Sequence, residues 1–455
     1  MSGLAPNCRC ANSVIVRPLL FCATTIAMRP AAQIQATIEL LDQIFAKPYP
    51  ADRAMAQYFK QRRYIGSKDK AAISEHFYHI LRNRLSYEYL LEQADLGVHS
   101  RLLAALTLSL EGQELSAYFN GEQYSPKPLR TEQVSAFKDI KAQQLESAPL
   151  NVQLNVPLWL EAKLQAAVGD RYQVEMQASN QRANTDIRVN TLQSSIEQVE
   201  GVIAAAGYQA QATKLSPWGL RFDGRVALSA MNAFRQGWFE IQDQGSQLLA
   251  LLTAVKPGNK VVDFCAGAGG KTLAMAAMMQ NKGTLYACDV HSKRLEQLAI
   301  RSKRAGVHNV RTHLLNSEHD KWVKKHREIA DVVLLDVPCT GTGTWRRSPD
   351  SRWNLKPEDL TNLSSLQQSI IQSAKRLVKP GGRLLYATCS LLREENEEIV
   401  AEFLDNNADF SAHDFALPTE LASQSNHYLL NGHQFRTLPA LSETDGFFVA
   451  SLQRD

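Results

Sequence analysis

The sequence predicts an α/β protein of three parts: a helical N-terminal region, a small α/β module and a doubly wound Rossmann-like domain that ends the chain. From residue 236 onward, short apolar runs typical of buried strands alternate with helical patterns, which indicates a parallel sheet with crossover helices. Between residues 28 and 148, apolar residues instead recur at steps of three and four, as on one face of a helix. The predicted parts are 28–148, 149–235 and 236–455.

The composition of the 455-residue chain fits packed globular domains, with 44% hydrophobic and 21% charged residues. No apolar run reaches the roughly 18 residues that a membrane-spanning helix requires, so we expect no membrane association. The seven cysteines are too sparse for a disulfide scaffold, and no CxxC or HxxxH pair supplies a chelating site. We therefore expect a cytoplasmic protein without a metal. The protein is also expected to be a monomer. The formal net charge of +4 permits a nucleic-acid partner but does not require one.

Residues 1–27 differ in composition from the rest of the chain. They hold three of the seven cysteines, and the first acidic residue of the chain is Glu39. An acid-poor segment that contains arginine is typical of a mitochondrial transit peptide. A reading frame that begins too early, with Met28 as the working start, accounts for the segment as well, and we favour this interpretation.

The region 28–148 is predicted to be helical from the spacing of residues such as Ile34, Ile38 and Leu41. Its segment 60–70 carries five positive charges and one negative charge. Such a segment can bind RNA phosphates, although a solvated helix end explains it better when it is taken alone.

Residues 149–235 are predicted to form a strand, a helix and further strands. The segment 186–190 has the pattern of a strand. Ser194, with Glu197 three residues later and an apolar run that ends at Gly207, is a typical helix start. Another strand follows the Pro-Trp-Gly turn at 217–219.

The first strand of the C-terminal domain, residues 261–264, runs directly into the glycine-rich turn 265–272 and then into an apolar helix. Strand, turn and helix in this order direct backbone N–H groups at a bound cofactor. A dinucleotide fingerprint needs glycine at position 272, where Thr272 stands, and a Walker A loop needs glycine at position 265, where Cys265 stands. The turn alone leaves the cofactor open.

An acid at the end of the second strand narrows the choice of cofactor. Asp289 lies 20 residues beyond Gly269, where a carboxylate can accept hydrogen bonds from ribose hydroxyls. Turn and acid together favour S-adenosyl-L-methionine as the cofactor, and a P-loop NTPase is the weaker alternative. The residues predicted here to bind the cofactor are Cys265, Ala266, Gly267, Ala268, Gly269, Gly270, Lys271 and Asp289.

Two cysteines and an aspartate follow the ends of two later strands. Asp336 ends the apolar run 331–336, Cys339 comes three residues later, and Cys389 follows the strand 383–387. Ligands of an open α/β sheet bind beyond the carboxyl ends of the strands. We therefore expect these three residues to lie beside the cofactor, with Asp336 also in contact with it.

Two thiols beside a methyl donor suit one chemistry in particular. C5 of a pyrimidine is too weak a nucleophile to accept a methyl group directly, but addition of a thiolate to C6 makes C5 nucleophilic. The C5 proton then leaves and the enzyme–base bond breaks by elimination, which a second thiol can assist. Asp336 would hydrogen-bond N3 and the exocyclic amine of cytosine. Cys389, Cys339 and Asp336 are thus the predicted catalytic residues, although spacing leaves open which cysteine is the nucleophile.

These motifs resemble the RsmB/Sun family of RNA cytosine-C5 methyltransferases, over residues 150–455 approximately. The resemblance implies methyl transfer from S-adenosyl-L-methionine to a cytosine of structured RNA, with 16S rRNA as the favoured target and tRNA as an alternative. It also implies that Cys389 is the nucleophile, that Cys339 aids product release, that 28–148 is a NusB-like RNA-binding domain and that 149–235 binds RNA. The motifs are Asp-Phe-Cys-Ala-Gly-Ala-Gly-Gly-Lys-Thr at 263–272, Leu-Asp-Val-Pro-Cys-Thr-Gly-Thr-Gly at 335–343, and Tyr-Ala-Thr-Cys-Ser at 386–390 with Glu394-Glu-Asn396.

Two positions depart from the pattern of that family. Ala268 stands where the turn usually has proline, and Asn316 stands where a family acid lies near the adenine. The amide of Asn316 can still hydrogen-bond the adenine amino group, so it is kept as a predicted cofactor ligand. Arg346 and Arg347 follow the Pro-Cys motif, and we expect them to bind phosphates beside a flipped-out base. An RNA-binding assembly factor that keeps the fold without turnover is the non-enzymatic alternative.

Overall fold

The structure is a computed structural model that describes residues 28–47, 49–224 and 226–455. The predictions for residues 1–27 lie outside the described residues. The predicted α/β class, with a helical region, a small module and a Rossmann-like domain, is confirmed. Within the described ranges, no helix is both long enough and apolar enough to cross a membrane.

The N-terminal region packs its helices around a single apolar core. Ile34, Ile38 and Leu41 are buried in that core, as their spacing predicts. In the basic segment 60–70, Ile65 is only 2% exposed and anchors the turn between two helices. The helices are α1 (Pro30–Ala46), α2 (Ala51–Gln61), α3 (Ser67–Arg82), α4 (Arg84–Gln93), α5 (Ser100–Leu110), α6 (Leu115–Tyr118) and α7 (Thr131–Asp139).

Three helices connect this region to the module: α8 (Leu150–Gln153), α9 (Leu158–Val168) and α10 (Tyr172–Ser179). Their apolar side chains share a core with Trp345, Leu391 and Leu392. Because these three residues follow Cys339 and Cys389 in the chain, the connecting helices support both predicted cysteine loops from outside.

The module contains an antiparallel sheet of order β2-β3-β1-β4. Strand β4 pairs with β1 through Ile187 and Ile241, so the sheet extends past residue 235, where the sequence placed the domain boundary. Helix α11 is capped by Ser195 and Gln198, one residue later than predicted, because the Ser194 hydroxyl donates to the Trp238 carbonyl instead. The elements are β1 (Thr185–Val189), α11 (Ile196–Ala205), β2 (Gln211–Ala212), β3 (Gly219–Phe222), α12 (Asn232–Arg235) and β4 (Phe239–Ile241).

The C-terminal domain is built on a sheet of order β11-β12-β13-β9-β8-β5-β6-β7, with β10 paired to β13. Strands β5 to β9 are mutually parallel, whereas β10 to β13 pair in antiparallel fashion. Successive residues point to opposite faces, so Val261 and Val262 belong to two separate apolar cores that cover the sheet. The chain runs from β5 outward to β6 and returns to β8 on the other side of β5, which makes this the switch point where ligands bind.

The elements of this domain follow one another in alternation, as the sequence predicts for a doubly wound fold. Its helices are α13 (Gln244–Leu252), α14 (Gly270–Met278), α15 (Ser292–Arg304), α16 (Lys321–Lys325), α17 (Ser351–Asn354), α18 (Pro357–Ala374), α19 (Glu397–Asp405), α20 (Thr419–Ala422) and α21 (Pro439–Ser442). Its strands are β5 (Lys260–Asp263), β6 (Thr284–Asp289), β7 (Val310–Leu314), β8 (Ala330–Asp336), β9 (Val378–Thr388), β10 (Phe410–Ala412), β11 (Leu429–Asn431), β12 (Gln434–Thr437) and β13 (Phe447–Arg454).

Candidate active site

A cavity of about 550 Å³ opens at the carboxyl ends of β5, β6 and β8. Its floor is the glycine-rich turn, and its apolar side is formed by Leu315, Leu366 and Ile370. The volume lies within the roughly 300–1,000 Å³ of ligand pockets. The cavity brings together most of the predicted cofactor and catalytic residues: Cys265, Ala266, Gly267, Ala268, Gly270, Lys271, Asp289, Asp336 and Cys339.

The turn takes its shape from two glycines in left-handed conformation, Gly267 at φ 55° and Gly269 at φ 86°. A Cβ on Gly269 would lie 2.0 Å from Cδ1 of Leu298, so only glycine fits between the turn and α15. The Gly267 N–H donates to Oδ2 of Asp289 at 2.9 Å, while the other oxygen of Asp289 accepts from the backbone N–H of His291 at 2.8 Å. The carboxylate at the end of β6 is thereby fixed at the cavity wall.

Asp263, at the end of β5, lines the cavity and was not among the predicted site residues, although it begins the motif 263–272. It is 1% exposed, and burial raises the pKa of its carboxyl to about 7. Thr272 Oγ1 donates to Oδ2 at 2.6 Å, whereas Oδ1 has no hydrogen-bond partner among the described residues. A polar residue at the carboxyl end of an otherwise apolar strand was the signal that could have revealed it.

Lys271 and Asp336 form an ion pair across the cavity, with Nζ 2.6 Å from Oδ2. Burial alone would lower the pKa of Lys271, but the charge of Asp336 and the hydrogen bond to it outweigh burial and raise that pKa. Lys271 therefore keeps its positive charge beside the carboxylate.

The two predicted catalytic thiols are in contact, with 3.3 Å between the Sγ atoms of Cys339 and Cys389. They follow β8 and β9, which are neighbouring parallel strands. The hydrogen bond with Cys389, together with burial, raises the pKa of the Cys339 thiol well above its ordinary value. The Cys339 thiol therefore holds its proton more tightly than an ordinary cysteine does.

Both cysteine loops are fixed by buried polar side chains of the Glu394-Glu-Asn396 motif. Glu395 accepts the backbone N–H of Thr340 at 2.8 Å and the Thr340 hydroxyl at 2.5 Å. Asn396 accepts the Thr388 hydroxyl at 2.6 Å and donates to the carbonyl of Ser390 at 2.9 Å. Thr340 follows Cys339, and residues 388 and 390 flank Cys389. The motif therefore fixes the backbone next to both cysteines.

In the part of the chain that the structure describes, the two remaining cysteines lie where burial keeps their thiols protonated. Burial raises the pKa of Cys265 and of Cys288 well above the ordinary range. Both are therefore protonated thiols, and Cys265 contributes to the cavity wall.

Three predicted ligands lie elsewhere. Asn316 is exposed and donates its side-chain amide to Asp320 at 2.9 Å, and it does not line the cavity. Arg346 is 7% exposed and donates to the carbonyl of Thr444 at 2.8 Å. Arg347 forms ion pairs with Asp243 at 2.7 Å and Asp445 at 2.6 Å. These side chains are engaged by protein groups, and their predicted roles toward adenine and RNA phosphates stay predictions.

The parallel sheet with its turn and cavity defines the class of the C-terminal domain as Rossmann-like, and it is joined to a ferredoxin-like module. The family described as "16S rRNA methyltransferase RsmB/F" matches residues 250–453, and its ferredoxin-like domain matches residues 156–229. The probable ribosomal RNA small subunit methyltransferase B of Synechocystis is 33% identical over 68% of this chain and 69% of that protein. The chain therefore belongs to the RsmB/F family, and the predicted resemblance is confirmed.

Another relative and two solved structures are also similar to this chain. Ribosomal RNA small subunit methyltransferase B of Salmonella newport is 31% identical over 65% of this chain and 66% of that protein, so the chain spans about two thirds of these relatives. The crystal structure of PH0851 aligns over 94% of this chain and 100% of its own, with 28% identity and a TM-score of 0.75. The crystal structure of NSun6 from Pyrococcus horikoshii with SFG shares the fold at 21% identity, with a TM-score of 0.59 over 66% of this chain and 98% of its own.

Proposed function

We propose that this protein transfers a methyl group from S-adenosyl-L-methionine to C5 of a cytosine in structured RNA, with 16S rRNA as the favoured substrate. The observation that carries the proposal is the contact between the two thiols at the ends of β8 and β9, beside a nucleotide-sized cavity. Addition to a pyrimidine and the later elimination would use two thiols, one as the nucleophile and one to assist release. The names of the relatives support rRNA as the substrate class.

The cavity suits S-adenosyl-L-methionine. Asp289 would accept hydrogen bonds from the ribose hydroxyls, and the backbone N–H groups that begin α14 would face the polar tail of the cofactor. The unpartnered Oδ1 of Asp263 offers a further polar contact at the cavity wall. Asn316 is retained as a proposed adenine ligand, although Leu315 and Glu318 are the residues of this loop that line the cavity. The bound cofactor would supply an electrophilic methyl group and, once its sulfonium–methyl bond has broken, would remain as S-adenosylhomocysteine.

The residues of this chain would act in a fixed order. The Cys389 thiolate adds to C6 of the base, which forms the S–C6 bond and places an electron pair at C5 for bond formation with the methyl carbon. Loss of the C5 proton to a base then expels the Cys389 thiolate and restores the ring. Cys339, 3.3 Å away, would assist this elimination. Asp336 would hydrogen-bond N3 and the exocyclic amine of cytosine. Lys271 forms an ion pair with Asp336 and would add a positive charge beside the base.

The alternatives make different demands on the same residues. In a P-loop NTPase the Thr272 hydroxyl would coordinate Mg²⁺ and Lys271 would reach phosphates. Here Thr272 is buried and donates to Asp263, and Lys271 is paired with Asp336, which favours the methyltransferase proposal. A tRNA substrate or a non-catalytic assembly factor would leave this geometry unchanged.

The proposal is tested by methyl transfer to defined RNA. Purified full-length protein, radiolabelled S-adenosyl-L-methionine and 16S rRNA from a strain that lacks the corresponding gene should yield labelled 5-methylcytosine, and bisulfite sequencing should place it at one cytosine. Unfractionated tRNA serves as the second substrate. Labelling of tRNA alone would replace the proposed substrate, and binding of ATP without binding of S-adenosylhomocysteine would overturn the proposed reaction.

A further inference from the structure

The glycine-rich turn 265–272 accepts a hydrogen bond from an arginine that also binds the ferredoxin-like module. Arg301 lies in α15, and its Nη1 donates to the carbonyl oxygen of Ala268 at 2.6 Å. Its Nε and Nη2 donate to Oε2 of Glu240 at 3.3 and 3.0 Å. Glu240 belongs to β4 of the module. One guanidinium therefore connects the edge strand of the module to the turn.

Glu240 is itself held firmly. It is 2% exposed, and its second oxygen accepts from Nη2 of Arg304 at 2.5 Å. Arg188, on the neighbouring strand β1, is also buried, and the negative charge of Glu240 partly offsets the lowering of its pKa that burial causes. Charge-assisted hydrogen bonds from a planar fork fix geometry as well as add energy. The position of Arg301, and with it the Ala268 carbonyl, is thus set by the module.

Strand β4 approaches the turn at a second point. Gln242, next to the end of β4, accepts from Nε of Arg188 at 2.7 Å and donates to the hydroxyl of Ser246 at 3.2 Å. Ser246 lines the cavity, and Nε2 of Gln242 would lie 3.5 Å from a Cβ on Gly270, the first residue of α14. The segment that follows β4 therefore also lies beside the turn, at Gly270.

The turn needs external support because Ala268 lies between two glycines in left-handed conformation. Glycine restricts the backbone least of all residues, and inside the turn the Ala268 peptide is held only on its N–H side, where Gly269 donates to the Ala266 carbonyl at 2.9 Å. The bond from Arg301 holds its carbonyl side. We propose that Glu240 and Arg301 are positioning residues for the cofactor: they hold the Ala268 peptide so that the turn is preorganised for binding. The inference rests on the proposed function only for the identity of the cofactor.

The test measures binding of S-adenosylhomocysteine to the full chain by calorimetry. Arg301→Gln is expected to raise the Kd about tenfold, equivalent to about 1.4 kcal/mol, while kcat at saturating S-adenosylmethionine and KM for RNA stay within twofold of the wild type. The matched control is Arg304→Gln, because Arg304 binds the other oxygen of Glu240 and lies over the Phe234 ring, and its loss leaves the contact between Arg301 and Ala268 in place. This control should change the Kd less than threefold.

The outcomes separate the two proposals. Equal effects of the Arg301 and Arg304 substitutions would show a general loosening of the interface and overturn the inference, as would an unchanged Kd in Arg301→Gln. Should that variant not fold, Arg301→Lys, which keeps the charge but offers only one nitrogen donor, is expected to raise the Kd at least threefold, and an unchanged value would again overturn it. Wild-type protein that does not bind S-adenosylhomocysteine would instead refute the proposed function.

Discussion

Asp263 offers a quantitative test of the electrostatics of the cavity. Burial raises the pKa of its carboxyl from 3.8 to about 7, and the hydrogen bond from Thr272 opposes this rise only in part. Between about pH 4 and pH 7, the folded protein therefore retains a proton that the unfolded chain has already released. Substitution by asparagine keeps the shape of the side chain and an oxygen for the Thr272 hydroxyl, but it removes the titration.

The expected effect on stability has a definite sign. Because the folded pKa is raised, the stabilisation from the bound proton is complete below the unfolded pKa and is lost as the pH rises through about 7. One pKa unit corresponds to about 1.4 kcal/mol, so the difference between 3.8 and about 7 corresponds to about 4 kcal/mol. From pH 4 to pH 8, the free energy of unfolding of the wild type should fall relative to Asp263→Asn by up to this amount.

The measurement is urea-induced unfolding of the full chain, followed by tryptophan fluorescence at several pH values between 4 and 8. Asp405→Asn, which removes an exposed carboxylate from the same domain, is the matched control and should parallel the wild type. If the curves for Asp263→Asn and the wild type stay parallel within 1 kcal/mol over this range, the assigned burial of a protonated carboxyl is wrong.

Two further predictions concern the shape of the site. Gly269→Ala should weaken binding of S-adenosylhomocysteine at least a hundredfold in calorimetry, because φ is 86° and the new Cβ would clash with Leu298. The control Gly258→Ala, where φ is 94° and no atom lies within 4 Å of the new Cβ, should leave binding unchanged. Equal affinities of the two variants for S-adenosylhomocysteine would refute this prediction. Glu395→Gln should lower kcat ten- to a hundredfold, because it leaves one acceptor oxygen in place of the two that receive the backbone N–H and the hydroxyl of Thr340, at a cost of about 1–3 kcal/mol. The control Glu394→Gln, which breaks only a partly exposed ion pair, should keep kcat within twofold, and similar losses in both variants would count against the positioning role.

The sequence could predict the parts of the site that depend on strand order and strand ends. Short apolar runs locate β5, β6, β8 and β9, and the residues that follow them meet at one edge of any parallel sheet. Cys339 and Cys389 were placed there for that reason. Their contact at 3.3 Å arises from the adjacency of β8 and β9, which the sequence does not contain.

The sequence could not predict which polar side chains would be occupied by distant partners. Arg347 follows the Pro-Cys motif, as a phosphate ligand would, but its ion-pair partners Asp243 and Asp445 lie about a hundred residues away on either side. Strand β4 falls beyond the predicted module boundary for the same reason, since its pairing with β1 is a long-range contact. Local patterns therefore predict elements and chemistry-bearing ends, and tertiary structure decides which charges are free.

The covalent role of Cys389 can be tested by looking for a protein–RNA adduct on a denaturing gel. Cys339→Ala protein, incubated with S-adenosylmethionine and 16S rRNA that lacks the modification, should form an adduct that survives denaturation, because addition and methyl transfer occur but elimination is slowed. Cys389→Ala and the double variant should form none and should not methylate RNA. Methyl incorporation by Cys389→Ala, or only free RNA with Cys339→Ala, would contradict the account.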